Sequence, residues 1–282
     1  MFAKCETRLP EQRPKATRNR VTFIALSSPS TADLTMPVGA CAGTRKCLGF
    51  YRAVVHFSLL VMRALGEPAV LKSAAVAAIC TSVACYPRLS QATQLHYPTW
   101  YLEALVLLGG MVLWAFVVAW HTKYSHRPVF TLQVSAGDWL TATALGIICS
   151  LSLYLCLDPA LRARAPLDYP ANTNQWVAMT LFNLGFSQLF LIFAPFAWLL
   201  RLFQRIQAAV LLTVFFGLFV FAIKNHNSPA PLASGLLLGL LAFRVLAGLL
   251  AVYFFLRGGV LLVWWWVLLL QCRYLFSLAL HA

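Results

Sequence analysis

Long, uninterrupted apolar segments constrain the fold of this chain more than any other feature of the sequence. Seven segments, each close to the roughly 20 residues that a helix needs to cross a bilayer, follow one another with short linkers. Lipid offers the backbone no hydrogen bonds, so only helices or closed barrels can cross it. The segments are continuous rather than alternately apolar and polar, which favours helices.

We therefore predict an all-α fold, a polytopic transmembrane bundle of about seven helices, with a range of six to eight, over residues 69–280. Asp138 is expected to cap the third span. Pro87 and Pro159 are expected in linkers, whereas Pro195 is expected to kink the fourth span. The predicted spans are residues 69–86, 100–120, 138–157, 175–200, 206–223, 232–256 and 259–280.

The composition agrees with a membrane protein. Of the 282 residues, 61% are hydrophobic and only 11% are charged, whereas a soluble domain is closer to half apolar and a quarter charged. The net charge is +14. Basic charge on membrane proteins usually flanks the spans and faces anionic head groups, and no basic-aromatic nucleic-acid module is recognisable. The expected partners are therefore the lipid bilayer and its anionic head groups, not nucleic acid.

The N-terminal residues differ from the spans. Residues 1–49 are polar and carry eight Lys or Arg, which predicts a disordered tail on the cytoplasmic side of a plasma or inner membrane. In residues 50–66, Arg52, His56 and Arg63 fall within roughly 60° of one helix face. This pattern favours an amphipathic helix in the head-group plane, and a true span with a polar seam is the alternative.

Acidic residues are absent from the last part of the chain. Asp168 is the last of eight, so the final four spans contain no carboxylate. A mechanism that needs an intramembrane Asp or Glu as base, metal ligand or proton carrier has no such group there. We therefore predict no catalytic residue.

Arg244 is the strongest single signal, because it lies near the middle of a predicted span. A guanidinium at that depth costs roughly 2.5–3.5 kcal/mol on insertion scales, so it should face a polar interior or a water-filled cleft. Arg244 is interpreted either as an anion or polar-substrate contact, or as a structural donor to carbonyls and polar groups of neighbouring helices. Its charge would be balanced by Glu103, Asp138, a lipid phosphate or neutral acceptors.

Three polar residues of the fourth predicted span accompany Arg244 as the predicted intramembrane polar cluster. Asn183 and Ser187 lie on one helix face, and Gln188 is adjacent. Such side chains commonly form hydrogen bonds between helices. Their alternative role is to line a substrate pocket.

Glu103, His121 and His126 form a second set of candidates. Glu103 lies one turn inside its span, where it would snorkel, pair with Lys72 or take part in a proton path. The two histidines lie near a helix end, where solvated interfacial side chains are the simplest interpretation. No carboxylate or cysteine ligand is close in sequence, and the eight cysteines form no Cys-x-x-Cys pair, so neither a metal site nor a cofactor is predicted.

The layout of about a third of the chain has a counterpart in a known family. A helix from Gln175 carries the polar pair Ser187-Gln188, and the next helix spans residues 208–223. A small-residue turn within residues 253–261 then leads into a final Trp-rich helix. This layout resembles the core of the CPBP family, the CAAX-protease and bacteriocin-processing intramembrane proteases.

The catalytic motifs of that family are replaced in this CPBP-like core, residues 175–275. Residues 187–192 read Ser-Gln-Leu-Phe-Leu-Ile where the family has Glu-Glu-x-x-x-Arg. The Phe-x-x-x-His motif corresponds best to residues 216–220, and the last His-x-x-x-Asn motif falls near residues 268–272, without either histidine. The resemblance therefore implies a degenerate member that does not cleave peptides.

Three hypotheses for function follow. The first is a non-catalytic multi-pass protein, a CPBP-like pseudo-protease, that binds or scaffolds another membrane protein or a lipid. The second is a small-solute or lipid transporter with Arg244 as the anion contact. The third is a membrane-embedded peptidase or transferase that uses Glu103, His121, His126 and Asp138.

Overall fold

The computed structural model describes residues 67–91, 97–164, 169–226 and 234–281. This part of the chain is built from helices, with no strand among the described residues. The predicted all-α transmembrane bundle is therefore confirmed. The predicted tail over residues 1–49 and the predicted interfacial helix over residues 50–66 lie outside the described residues.

Six helices of the described part are long and apolar enough to cross a membrane. Five of the six extend beyond the predicted spans at one or both ends, because helical hydrogen bonding continues into flanking polar residues that hydropathy leaves out. Five of them are α1 (Pro68–Ser90), α2 (Thr99–Ser125), α3 (Ala136–Arg164), α4 (Thr173–Phe203) and α5 (Ile206–His226). The sixth is the apolar stretch Ser234–Ala279, about twice the length of one crossing.

This last stretch is two helices, α6 over residues 234–257 and α7 over residues 260–281, joined by a turn. Gly258 (φ −133°, ψ 15°) and Gly259 (φ 65°, ψ −158°) leave the helical conformation. The backbone N–H of Val260 donates to the carbonyl of Val129 at 3.0 Å, which fixes the turn on the segment between α2 and α3.

Contacts with α3 show that the chain reverses at this turn. Gly239 of α6 lies against Leu157, and Arg273 of α7 binds the neighbouring Asp158. The 34 residues between Gly239 and Arg273 would place them about 50 Å apart along one straight helix. The described part therefore holds seven apolar helices, each long enough for one crossing, a number within the predicted range. We call the side with residues 126–135 and the turn face A, and the side with residues 169–172 face B.

Small residues let the helices approach closely, as is usual in membrane bundles. Gly110 of α2 lies against Ala78 of α1, and Gly146 of α3 lies against Leu269 of α7. Gly185 of α4 lies against α1 in the same way. These contacts order the helices around a shared interior.

Aromatic rings fill that interior. The ring centroids of Phe193 and Phe255 are 4.7 Å apart, and Trp114 lies 6.1 Å from Phe193. Phe254 and Trp266 extend the cluster at 5.8 Å. The rings join α2, α4, α6 and α7, so the core is one continuous apolar unit.

Two prolines expected in linkers lie inside helices. Pro87 is in the last turn of α1, where only a short helical end follows it. Pro159 lies within α3, two residues after the π-helical turn Leu153–Leu157 ends. Proline lacks an N–H and crowds the carbonyl four residues earlier, and the wider π turn relieves that clash. Pro195 likewise follows the π turn Leu189–Phe193, at the position where a kink was predicted.

The cap of α3 was assigned to the wrong residue. Ser135 is the N-cap, and its Oγ accepts a hydrogen bond from the Asp138 N–H at 3.0 Å. The Ser135 hydroxyl donates to Asp138 Oδ2 at 2.7 Å. This is a capping arrangement in which Asp138 occupies the third helical position, where a carboxylate also favours the helix dipole.

Candidate functional site

The predicted polar cluster lies on two different helices. Asn183 and Ser187 are the first and last residues of a π-helical turn in α4, and Gln188 follows. All three are partly buried, and their side chains form no hydrogen bond with another described residue. Arg244 lies on α6, where its guanidinium contacts the ring of Phe221 at 5.4 Å. Arg244 therefore has no direct bond with the α4 group in the described part of the chain.

A buried ion pair that sequence reasoning missed joins α3 to α7 near face B. Arg273 Nε lies 3.1 Å from Asp158 Oδ2, and the two side chains are only 14% and 6% exposed. A single charge in an apolar bundle costs several kcal/mol, so each group needs the other. The pair fixes the position of α7 along the axis of α3.

Two tyrosines complete the surroundings of this pair. The Tyr169 hydroxyl donates to Asp158 Oδ1 at 2.9 Å, and Arg273 Nη2 donates to the Tyr274 hydroxyl at 2.6 Å. The two tyrosine rings meet edge to face with centroids 5.4 Å apart. Burial and the charge of Asp158 raise the pKa of Tyr169 above its ordinary value. The phenol therefore keeps its proton and remains a donor to the carboxylate.

Two further arginines belong to the same region. The Arg162 guanidinium lies 5.0 Å from the Tyr169 ring centroid and donates to the Ser277 hydroxyl. Arg244 is exposed on the bundle surface, five residues along α6 from Gly239, which lies against Leu157 next to Asp158. We call Arg162, Arg244 and Arg273, together with Asp158, Tyr169 and Tyr274, the arginine cluster.

The arginine cluster carries more positive than negative charge. It has three guanidinium groups and one carboxylate, and Asp158 is paired with Arg273. Asp138 pairs instead with Arg257 at 3.8 Å near face A, and Glu103 accepts a hydrogen bond from Ser82. Neither carboxylate therefore neutralises Arg244. Guanidinium groups stay protonated and bind phosphate or carboxylate by charge-assisted hydrogen bonds, so the cluster is suited to an anion.

The interpretation of His121 as a solvated interfacial side chain is wrong. Its exposed fraction is 0%, because α2 continues to Ser125 and His121 lies a full turn inside the helix. The imidazole is 4.2 Å from the Phe255 ring centroid, and neither ring nitrogen has a hydrogen-bond partner among the described residues. His126 is exposed and ends the helix in the left-handed conformation with φ 56°. The two histidines therefore do not share a site.

We expect His121→Phe to stabilise the protein by about 1–3 kcal/mol, because it removes unpaired polar atoms from an aromatic pocket. The free energy of unfolding in a sodium dodecyl sulfate titration of detergent-solubilised protein measures this. His126→Phe, at the exposed position, is the matched control and should change that free energy by less than about 0.5 kcal/mol. A loss of stability in His121→Phe would show that the imidazole nitrogens bind a group within the bundle.

No group of three His, Cys, Asp or Glu side chains in the described ranges is placed to hold a metal ion. The CPBP-like positions lie on α4, α5 and α7, and α4 meets α5 through Phe190 and Phe216, whose centroids are 5.7 Å apart. No protein-family model, curated protein or solved structure matches the chain. Its function is therefore inferred from the geometry of its side chains.

Proposed function

We propose that this chain is a non-catalytic multi-pass membrane protein that binds the phosphate group of a lipid at the arginine cluster. The observation that carries the proposal is the charge imbalance there. Arg162 and Arg244 have no carboxylate partner among the described residues, whereas Arg273 has one. An anion supplied from outside the chain would balance them.

The depth of Arg244 supports a lipid as the source of that anion. Its guanidinium contacts Phe221, five residues before α5 ends at His226 near face B. Five residues correspond to about 8 Å of helix. A long arginine side chain reaches from that depth towards the head-group layer, where lipid phosphates lie.

The resemblance to CPBP proteases fits a binding role better than a catalytic one. Ser187 and Gln188 stand where the family has its paired glutamates, and neither side chain can activate water as a carboxylate does. We therefore retain a degenerate, non-proteolytic member of that family as part of the proposal.

Orientation is part of the same proposal. The basic residues 1–49 favour a cytoplasmic N-terminus and contact with anionic head groups. If residues 50–66 lie in the head-group plane, α1 starts at the cytoplasmic side, which makes face A cytoplasmic. Seven crossings then bring the end of α7 to the opposite side.

We expect Arg244→Leu to weaken the binding of phosphatidylglycerol about tenfold, which corresponds to about 1.4 kcal/mol. Native mass spectrometry of the solubilised protein, titrated with the lipid, measures the dissociation constant. Arg257→Leu removes a half-exposed arginine near face A and is the matched control, which should bind as the wild type does. Equal affinity in Arg244→Leu and the wild type would contradict the proposal.

Competing ligands identify the source of the phosphate. If phosphatidylcholine binds as well as phosphatidylglycerol, the site recognises the phosphate alone. If phosphatidylcholine binds more weakly, the site also recognises the net negative charge of the head group. If inorganic phosphate binds at the site and lipid does not, the ligand is a soluble anion. A protein cross-linked to Asn183 or Ser187 in place of lipid would favour a partner-binding scaffold.

A small-solute transporter is the second candidate, and the π-helical turns in α3 and α4 favour it. Segments such as Leu153–Leu157 and Asn183–Ser187 interrupt regular helical bonding within spans, as helices of transporters often do near their binding sites. Uptake of phosphate into vesicles, lost in Arg244→Leu and kept in Arg257→Leu, would support transport over lipid binding.

A further inference from the structure

Glu103 reaches towards the centre of the bundle rather than out to face B. The Ser82 hydroxyl donates to Glu103 Oε1 at 2.6 Å. Ser82 lies eight residues before the end of α1 at Ser90, which is about 12 Å inside that helix end. The backbone of Glu103 is only four residues into α2, so its side chain extends inwards. Snorkelling to the head groups, one of the predicted roles, would need the Glu103 side chain to extend in the opposite direction.

The Glu103 carboxyl group has no counter-ion in the described structure. Its Oε2 is buried without a hydrogen-bond partner, and it forms no ion pair with a described Lys, Arg or His. On α1, Lys72 and Arg88 form no ion pair with it. On α4, which packs against both α1 and α2, Arg201 contacts Trp120 near face A instead.

We propose that Glu103 is an intramembrane proton-binding site. The proton is held on Oε2, while Oε1 accepts the hydrogen bond from Ser82. A carboxylate without a cation is costly in an apolar bundle, and binding a proton removes its charge. The site is separate from the arginine cluster, so neither proposal depends on the other.

An apolar carbodiimide reports this protonation directly. Dicyclohexylcarbodiimide in the membrane takes the carboxyl proton on one of its nitrogens, and the carboxylate oxygen adds to its central carbon. The acyl group then shifts from oxygen to nitrogen and gives a stable N-acylurea, with no atom lost. Only the neutral acid starts this sequence, so labelling measures the protonated fraction.

In native membranes, the peptide that contains Glu103 should gain the mass of one carbodiimide. Glu103→Gln should remove the label, and Ser82→Ala, which removes the hydrogen bond to Oε1, should change the labelling rate while leaving the helices folded. Glu67, which is exposed, is the control, because it should react with a water-soluble carbodiimide and not with the apolar reagent.

Two results would overturn the assignment. One is a folded protein whose Glu103 resists the apolar reagent across the pH range. The other is protection of Glu103 by Na⁺ at constant pH, which would make a metal cation rather than a proton the occupant.

Discussion

Replacing Asp158 with alanine is expected to destabilise the protein by about 3–5 kcal/mol, because Arg273 would stay charged and buried without its partner. The carboxylate is almost wholly enclosed and also accepts the hydrogen bond of Tyr169. The free energy of unfolding in a sodium dodecyl sulfate titration measures the loss. A change of this size is a large part of the stability of most folded domains.

Two variants separate this prediction from a general sensitivity of the bundle to mutation. Arg257→Leu removes a second ion pair of the described residues, 3.8 Å long with an arginine that is 53% exposed, and should cost less than about 1 kcal/mol. The double variant Asp158→Leu with Arg273→Leu removes both buried charges and should recover most of the stability. A double variant as unstable as Asp158→Ala would contradict the proposed cause.

Gly259→Ala is the second variant with a large expected effect. Its backbone has φ 65° and ψ −158°, a region that only glycine enters readily. A Cβ atom there would lie 2.4 Å from the carbonyl oxygen of Val129, which is itself held by Val260. Strain and overlap together should cost at least about 3 kcal/mol, since each alone costs 1–3 kcal/mol.

The control for Gly259→Ala is a glycine in open helical surroundings. A Cβ atom at Gly217 of α5 would meet nothing within 4 Å. Gly217→Ala should therefore leave the protein unchanged or stabilise it by up to about 1 kcal/mol, because alanine is the better helix former. The same detergent titration compares the two variants. Similar effects from both would mean that the Gly258–Gly259 turn is not a fixed point of the fold.

The spans could be predicted from the sequence because bilayer crossing depends on length and hydropathy, which are local properties. The apolar helices, the turn at Gly258–Gly259 and the interruption of regular helical bonding just before Pro195 all lie where such local signals point. Local signals failed at Pro87 and Pro159. A proline is tolerated in a last turn or after a π turn, and hydropathy cannot reveal either setting.

The arginine cluster could be predicted only in part. Arg244 was found because a lone charge in a long apolar segment is visible in one sequence. Asp158 and Arg273 lie 115 residues apart and each looks like an ordinary residue near a helix end, so their pairing needs the three-dimensional packing of α3 on α7. One usable signal was present: Asp158 is the last acidic residue of the described helices, ahead of four helices that contain no carboxylate and of which three carry arginines.

Solid-state NMR can test lipid phosphate binding at Arg244 most directly. The protein, with arginine Cζ labelled by ¹³C, is reconstituted in phosphatidylglycerol, and dipolar dephasing by lipid ³¹P measures each carbon-to-phosphorus distance. If Arg244 hydrogen-bonds to a lipid phosphate, one arginine Cζ carbon should lie within about 5 Å of phosphorus, and its signal should disappear in Arg244→Leu. Dephasing that is the same in the wild type and in Arg244→Leu would show that the phosphate lies elsewhere and would contradict the proposed function.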